Sequence, residues 1–176
     1  MARKAWFAVA GSLAVVFSFL ALLVIGVYSA ASGLAPGGAQ GLAKGAVPAQ
    51  YVPLLEKWGR LCPEISPALL AAQLYQESGF NPRAVSPAQA QGIAQFIPGT
   101  WATHGMDGDG DGDRDVWDPA DAIPSAANYD CTLAKSVKGV PGDPVNNMLA
   151  AYNAGPYRVL AAGGIPNIAE TKNYVK

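Results

Sequence analysis

Charge is scarce in this chain. Its 176 residues carry 12 Lys and Arg against 13 Asp and Glu, a formal net charge of −1, and only 14% of the residues are charged. Beyond the first few residues no Lys/Arg cluster occurs, so the basic stripe that neutralises phosphates is missing and nucleic acid is excluded as a partner. The partner is read as an uncharged or mixed-charge ligand. There is one histidine, His104, and no nucleophile in a recognisable motif accompanies it, which makes it a surface or loop residue rather than a catalyst. No run alternates apolar and polar residues at the strand period, so the chain is read as mainly α.

What the chain does have is one long apolar run. Ala5 to Ala31 carries no charge, follows Arg3 and Lys4, and at about 1.5 Å per residue spans about 40 Å, more than the roughly 30 Å hydrocarbon core requires. Residues 1–31 are read as a membrane anchor with its N-terminus cytoplasmic. A cleaved signal peptide is the alternative, because small residues at Ala30 to Ser32 suit a signal peptidase. On either reading the remainder is exported, and it acts membrane-anchored facing the cell wall or as a secreted protein. Residues 32–46 turn to Gly, Ala, Pro and Gln without a period and are read as a flexible tether. Cys62 and Cys131 both lie on the exported side, where disulfides persist; a bridge is expected, with two buried free thiols as the alternative.

Residues 47–176 read as one α domain, large enough for a real core. Tyr51, Leu54, Leu55 and Trp58 recur at helical spacing and mark an apolar stripe. Ser66-Pro67 supplies an N-cap and a first-turn proline for "ALLAAQLYQES", with Gly79 placed to stop it. Ser86-Pro87 repeats that signal with Gln89 completing a capping-box pattern, and a helix is expected there too. Asp118-Pro119 opens another, which Pro124 must kink or restart. Asp143-Pro144 begins "VNNMLAAYNAG", ended by Gly155-Pro156, and "NIAETKNYVK" is helical in pattern.

Glu77 closes the second of these helices. At 100° per residue it shares a face with Leu70 and Leu74, so its carboxyl is pressed against apolar side chains near the negative end of the helix dipole. Both effects favour the neutral form and raise its pKa, which is what a general acid at neutral pH requires. A lone glutamate at a helix end would more often swing into water.

Its neighbours decide between these readings. "ESGFNP" at Glu77 to Pro82, "SPAQAQGIAQF" at Ser86 to Phe96, "AAYNAGP" at Ala150 to Pro156 and "NYV" at Asn173 to Val175 together resemble the lytic transglycosylases of the soluble-transglycosylase (SLT), lysozyme-like superfamily. That resemblance implies a lysozyme-like α domain that cleaves the β-1,4 bond between N-acetylmuramic acid and N-acetylglucosamine in peptidoglycan with one glutamate. It implies Glu77 as the catalytic acid, with Ser86, Gln95, Tyr152 and Asn153 as substrate-binding residues. "GIAQF" departs from the more usual "GLMQ" form, placing Ala94 where a methionine is common.

A single glutamate suits a reaction in which the substrate supplies its own nucleophile. Glu77 would protonate the glycosidic oxygen, then take the proton from the C6 hydroxyl of the same muramoyl sugar as a 1,6-anhydro ring closes. No cofactor is needed for that chemistry. The rivals are a muramidase in which water captures the intermediate and a non-catalytic calcium-binding wall module. Of the aromatics that could stack on sugars, Tyr75, Trp101, Tyr152 and Tyr157, only Tyr152 has motif support.

A second constellation is "DGDGDGDRDVWD". Asp107, Asp109, Asp111, Asp113, Asp115 and Asp118 fit the twelve-residue calcium-loop template, with Gly112 at its sixth position. Asp118 stands where a bidentate glutamate is usual and is also the expected cap of the next helix. A structural Ca2+ is one reading, and a solvated acidic loop is the other. Oligomeric state is not encoded in any pattern found.

Overall fold

A computed structural model describes residues 42–176; the anchor or signal reading of residues 1–31 and most of the tether lie outside the described residues. Among the described residues no helix is long and apolar enough to cross a membrane. A short 3-10 turn, Ala49–Tyr51, leads into seven α-helices: α1 (Val52–Trp58), α2 (Pro67–Ser78), α3 (Pro98–His104), α4 (Pro119–Ser136), α5 (Pro144–Ala154), α6 (Pro156–Ala162) and α7 (Ala169–Tyr174). Helix α5 is the hub, packed against α4, α6 and α7, while α1 sits against α2 and α4. Leu55, Leu70, Leu74, Ile93, Ile123, Met148 and Val159 fill the space between them, fully buried. Leu42 and Val47 pack on this core from the N-terminal side.

Helix boundaries follow local chemistry. The Ser66 side chain accepts from Leu69 N–H at 3.1 Å, and Gly79 ends α2 at φ 62°, a left-handed conformation that costs glycine nothing. Asp118 and Asp143 cap α4 and α5, accepting from Ala120 N–H at 2.7 Å and Asn146 N–H at 2.9 Å. Pro124 does not restart α4, which runs as one helix from Pro119. At its sixth residue the proline frees the Ala120 carbonyl, and the backbone of Gly108 lies so close that a Cβ there would sit 2.2 Å from that oxygen. Pro156, after Gly155, acts as the first residue of the additional helix α6.

The helix expected from Ser86 does not form. Residues 79–97 are a compact loop with isolated bridges Val85–Gln91 and Gln91–Phe96. The Ser86 hydroxyl accepts from Ala90 N–H instead of from the third residue on, and Gln89 and Gln95 take φ of 65° and 52°, outside the helical region. Cys62, in the α1–α2 connection, is disulfide-bonded to Cys131 of α4 across 69 positions. Closing a loop of that size contributes about 4 kcal/mol in the chain-entropy treatment.

Candidate active site

Glu77 occupies the last turn of α2, next to the glycine that stops the helix. Its neighbour Ser78 fixes that end: the hydroxyl donates to Ile93 C=O at 2.7 Å and accepts from Asn81 N–H at 3.1 Å, binding α2 to the 79–97 loop. The Tyr174 hydroxyl of α7 donates to Glu77 Oε1 at 2.5 Å, a contact between residues 97 apart in sequence. Burial pushes the Glu77 carboxyl up to about 7, the Tyr174 bond pulls it down because it favours the carboxylate, and the Glu170 charge pushes it up further. A carboxyl group poised there exchanges its proton near neutral pH, the condition for serving as acid and then as base.

The residues grouped with Glu77 by sequence are each bonded to backbone or to a neighbouring helix. Tyr152 of α5 donates its hydroxyl to Ala94 C=O at 2.8 Å, which holds the "GIAQF" turn against the core. Gln95 Nε2 donates to Gly92 C=O at 2.9 Å and Ala84 C=O at 3.2 Å, closing the loop on itself. Ser86 shapes the far side of that loop through Ala90. Asn153 Oδ1 accepts from Thr171 Oγ1 at 2.7 Å, a bond that docks α7 on α5 and so holds Tyr174 over Glu77. Gly92 is obligatory: at φ 75°, a Cβ would lie 2.1 Å from Val116 C=O. Of the aromatics, Tyr75 and Tyr157 are exposed, whereas Trp101 and Tyr152 join Phe96 and Tyr129 in a partly buried cluster.

Tyr174, Ser78 and Thr171 received no role from the sequence. "NYV" was the available signal for Tyr174, but its partner is visible only once α7 folds back on α2.

The acidic loop lies apart from Glu77 in sequence and arranges itself differently from the twelve-residue template. Carboxylate oxygens of Asp107, Asp109 and Asp121 come within 4.8 Å of one another. Asp107 also accepts from Gly110 N–H at 2.6 Å and Gly112 N–H at 3.0 Å. Asp121, 1% exposed, accepts from Gly108 N–H at 2.7 Å and Asp115 N–H at 2.9 Å. Asp118 turns instead to its capping bond, and Asp111 and Asp115 accept from Asp113 N–H and Trp117 N–H. The Asp113 carboxyl is raised above its ordinary value, chiefly by the Asp111 charge. Asp121 carried no template position; its place one turn into α4, behind the Asp118 cap, was its only signal.

The chain is 36% identical over 109 residues to membrane-bound lytic murein transglycosylase B of Escherichia coli, covering 62% of this chain and 26% of that protein. It is 34% identical over 119 residues to membrane-bound lytic murein transglycosylase C of Actinobacillus pleuropneumoniae, covering 63% of this chain and 32% of the relative. The chain thus spans about a quarter to a third of the length of these relatives. The crystal structure of the 70-kDa soluble lytic transglycosylase from Escherichia coli superposes with a TM-score of 0.55 at 27% identity, covering 72% of this chain and 22% of that one. The family model described as the Transglycosylase SLT domain matches residues 58–175, and the chain therefore belongs to the SLT family, with its mainly α, lysozyme-like fold.

Proposed function

We propose that the chain is a peptidoglycan lytic transglycosylase that cleaves between N-acetylmuramic acid and N-acetylglucosamine and leaves 1,6-anhydromuramoyl ends, with Glu77 as its catalytic residue. The observation that carries this reading is the sheltered Glu77 carboxyl, raised to about 7 at the end of α2 and held by Tyr174. In the first step the protonated Glu77 gives its proton to the glycosidic oxygen as the bond to the muramoyl C1 breaks. In the second, the C6 hydroxyl of that sugar bonds to C1 and its proton passes to the Glu77 carboxylate, restoring the acid. The Tyr174 hydroxyl steadies the carboxylate between the two steps.

Asp130, wholly buried, is out of reach of a saccharide and does not serve as the second carboxylate of a two-carboxylate mechanism. The murein transglycosylase names of the relatives support the substrate class. Mass spectrometry of peptidoglycan digested in 18O-labelled water tests the reaction. Anhydro ends free of label are expected; labelled reducing ends would make the enzyme a muramidase and overturn the proposal.

We also propose a structural Ca2+ in the acidic loop. Asp107, Asp109 and Asp121 would hold it, a hard-oxygen donor set of the kind that cation prefers, and it would neutralise charges that otherwise repel. The membrane-bound relatives support reading residues 1–31 as an anchor that keeps the domain near the membrane, facing the wall, with secretion following if the segment is cleaved.

A further inference from the structure

Gln73 lies one helical turn before Glu77, and its side chain meets Asp130 of α4 in the core. Asp130 is 0% exposed and Gln73 4%. Gln73 Nε2 donates to Asp130 Oδ1 at 3.1 Å. The two remaining oxygens, Gln73 Oε1 and Asp130 Oδ2, have no hydrogen-bond partner. Trp58 Nε1, the other orphaned buried polar atom among the described residues, is bonded to neither. Rotating the amide would set oxygen against oxygen, so the bond itself fixes its orientation.

With Asp130 ionised, both orphaned oxygens are acceptors deprived of a donor, an arrangement that native interiors avoid. One proton resolves both. Placed on Asp130 Oδ2, it makes that atom a donor to Gln73 Oε1 and closes a ring of two hydrogen bonds between acid and amide. The surroundings agree with a neutral acid. Asp130 meets the Gln73 amide of α2, and the titratable groups whose charges couple to it, Glu77 of α2, Tyr129 of its own helix, Tyr152 of α5 and Tyr174 of α7, include no cation. The one salt bridge among the described residues, Arg60–Glu56, is elsewhere. Burial pushes the Asp130 carboxyl up to about 8, against the pull of the Gln73 bond, and the Glu77 charge adds to the rise.

We propose that Asp130 is held as a neutral carboxylic acid paired through two hydrogen bonds with the Gln73 amide, and that this pair fixes the turn of α2 carrying Glu77 without setting a second negative charge behind it. The first half concerns the pair alone; the second rests on the reading of Glu77 as the catalytic acid. Asp130 is a positioning residue, since it has no route to the substrate. Ionisation of Asp130 would put an uncompensated charge behind Glu77 and break the ring together.

The Asp130→Asn variant tests the pair, because asparagine reproduces both hydrogen bonds without a titrating proton. The wild type at about pH 6 is expected to show the infrared carbonyl band of a buried protonated acid that D130N lacks and Glu77→Gln keeps. D130N is also expected to show about one proton less of linkage between folding and pH from about pH 5 to 7. Absence of the band, or wild-type linkage in D130N, overturns the neutral pair. For positioning, D130A is expected to lose roughly tenfold to a hundredfold in turnover per folded molecule, as a misplaced catalytic group does, with D130N restoring it. If D130A does not fold, Gln73→Met takes its place. Equal turnover in the truncated and restored variants overturns positioning. Wild-type turnover in E77Q would defeat the Glu77 reading while leaving band and linkage intact.

Discussion

Replacing Glu77 by glutamine separates what the side chain does for the reaction from what it costs the fold. Glutamine keeps the shape and still accepts from Tyr174, but it has no proton to exchange. In the wild type the carboxyl titrates at about 7 against an ordinary value of 4.5. The folded state therefore holds this proton more tightly than the unfolded chain does. Its stabilising contribution is fully present below about pH 4.5, declines as pH rises, and is gone once pH passes about 7. The gap, 7 − 4.5, at about 1.36 kcal/mol per unit, makes about 3 kcal/mol. E77Q is spared that loss, so at pH 8 it is expected to exceed the wild type by about 3 kcal/mol more than it does near pH 4.5, roughly 10 °C in melting temperature. Urea unfolding of both proteins at the two pH values reads the difference directly, and wall-lytic activity should vanish in E77Q. If both proteins lose stability in parallel as pH rises, or if E77Q still releases muropeptides, the reasoning about this carboxyl is refuted.

Tyr174→Phe removes the hydrogen bond that pulls the Glu77 pKa down, so the limb of the pH–rate profile on which activity falls is expected to move to higher pH; an unmoved limb counts against the contact. Gly92→Ala forces a Cβ to within 2.1 Å of Val116 C=O at a left-handed φ, and a loss of about 2–4 kcal/mol in denaturant unfolding is expected. Thr171→Val deletes the bond to Asn153 that docks α7; a stability cost of about 1–2 kcal/mol is expected, with a larger proportional loss of activity, because Tyr174 is released from Glu77. Calcium added after chelation is expected to raise the melting temperature of the wild type and not of Asp121→Asn, and a heat-silent, shift-free titration would remove the cation from the loop.

The helices were legible wherever a boundary is a local bond. Ser66 with Pro67, Asp118 with Pro119 and Asp143 with Pro144 each place a capping oxygen and a residue that needs no N–H within one turn, and the chain obeys all three. Ser86 with Pro87 carries the same letters and fails. Its loop is fixed by partners distant in sequence: Tyr152 on Ala94, Val116 against Gly92, and the Ser78 hydroxyl on Ile93. Glu77 was legible as a candidate because its helical face was, yet Tyr174 was not, since a contact 97 residues away has no local signature. Asp130 was hidden for the same reason, being one more aspartate on α4 until Gln73 meets it. In the acidic loop the competition was between two uses of one side chain. The bond from Ala120 N–H holds Asp118 as a cap, and Asp121 stands beside Asp107 and Asp109.

Carbon-13 NMR titration of the Glu77 carboxyl, assigned by its disappearance in E77Q, reads the protonation state on which the chemistry depends. A midpoint near 7 is expected, well above the ordinary 4.5. A midpoint at the ordinary value would mean a carboxylate already ionised at neutral pH, with no proton to give the glycosidic oxygen, and would contradict Glu77 as the catalytic acid.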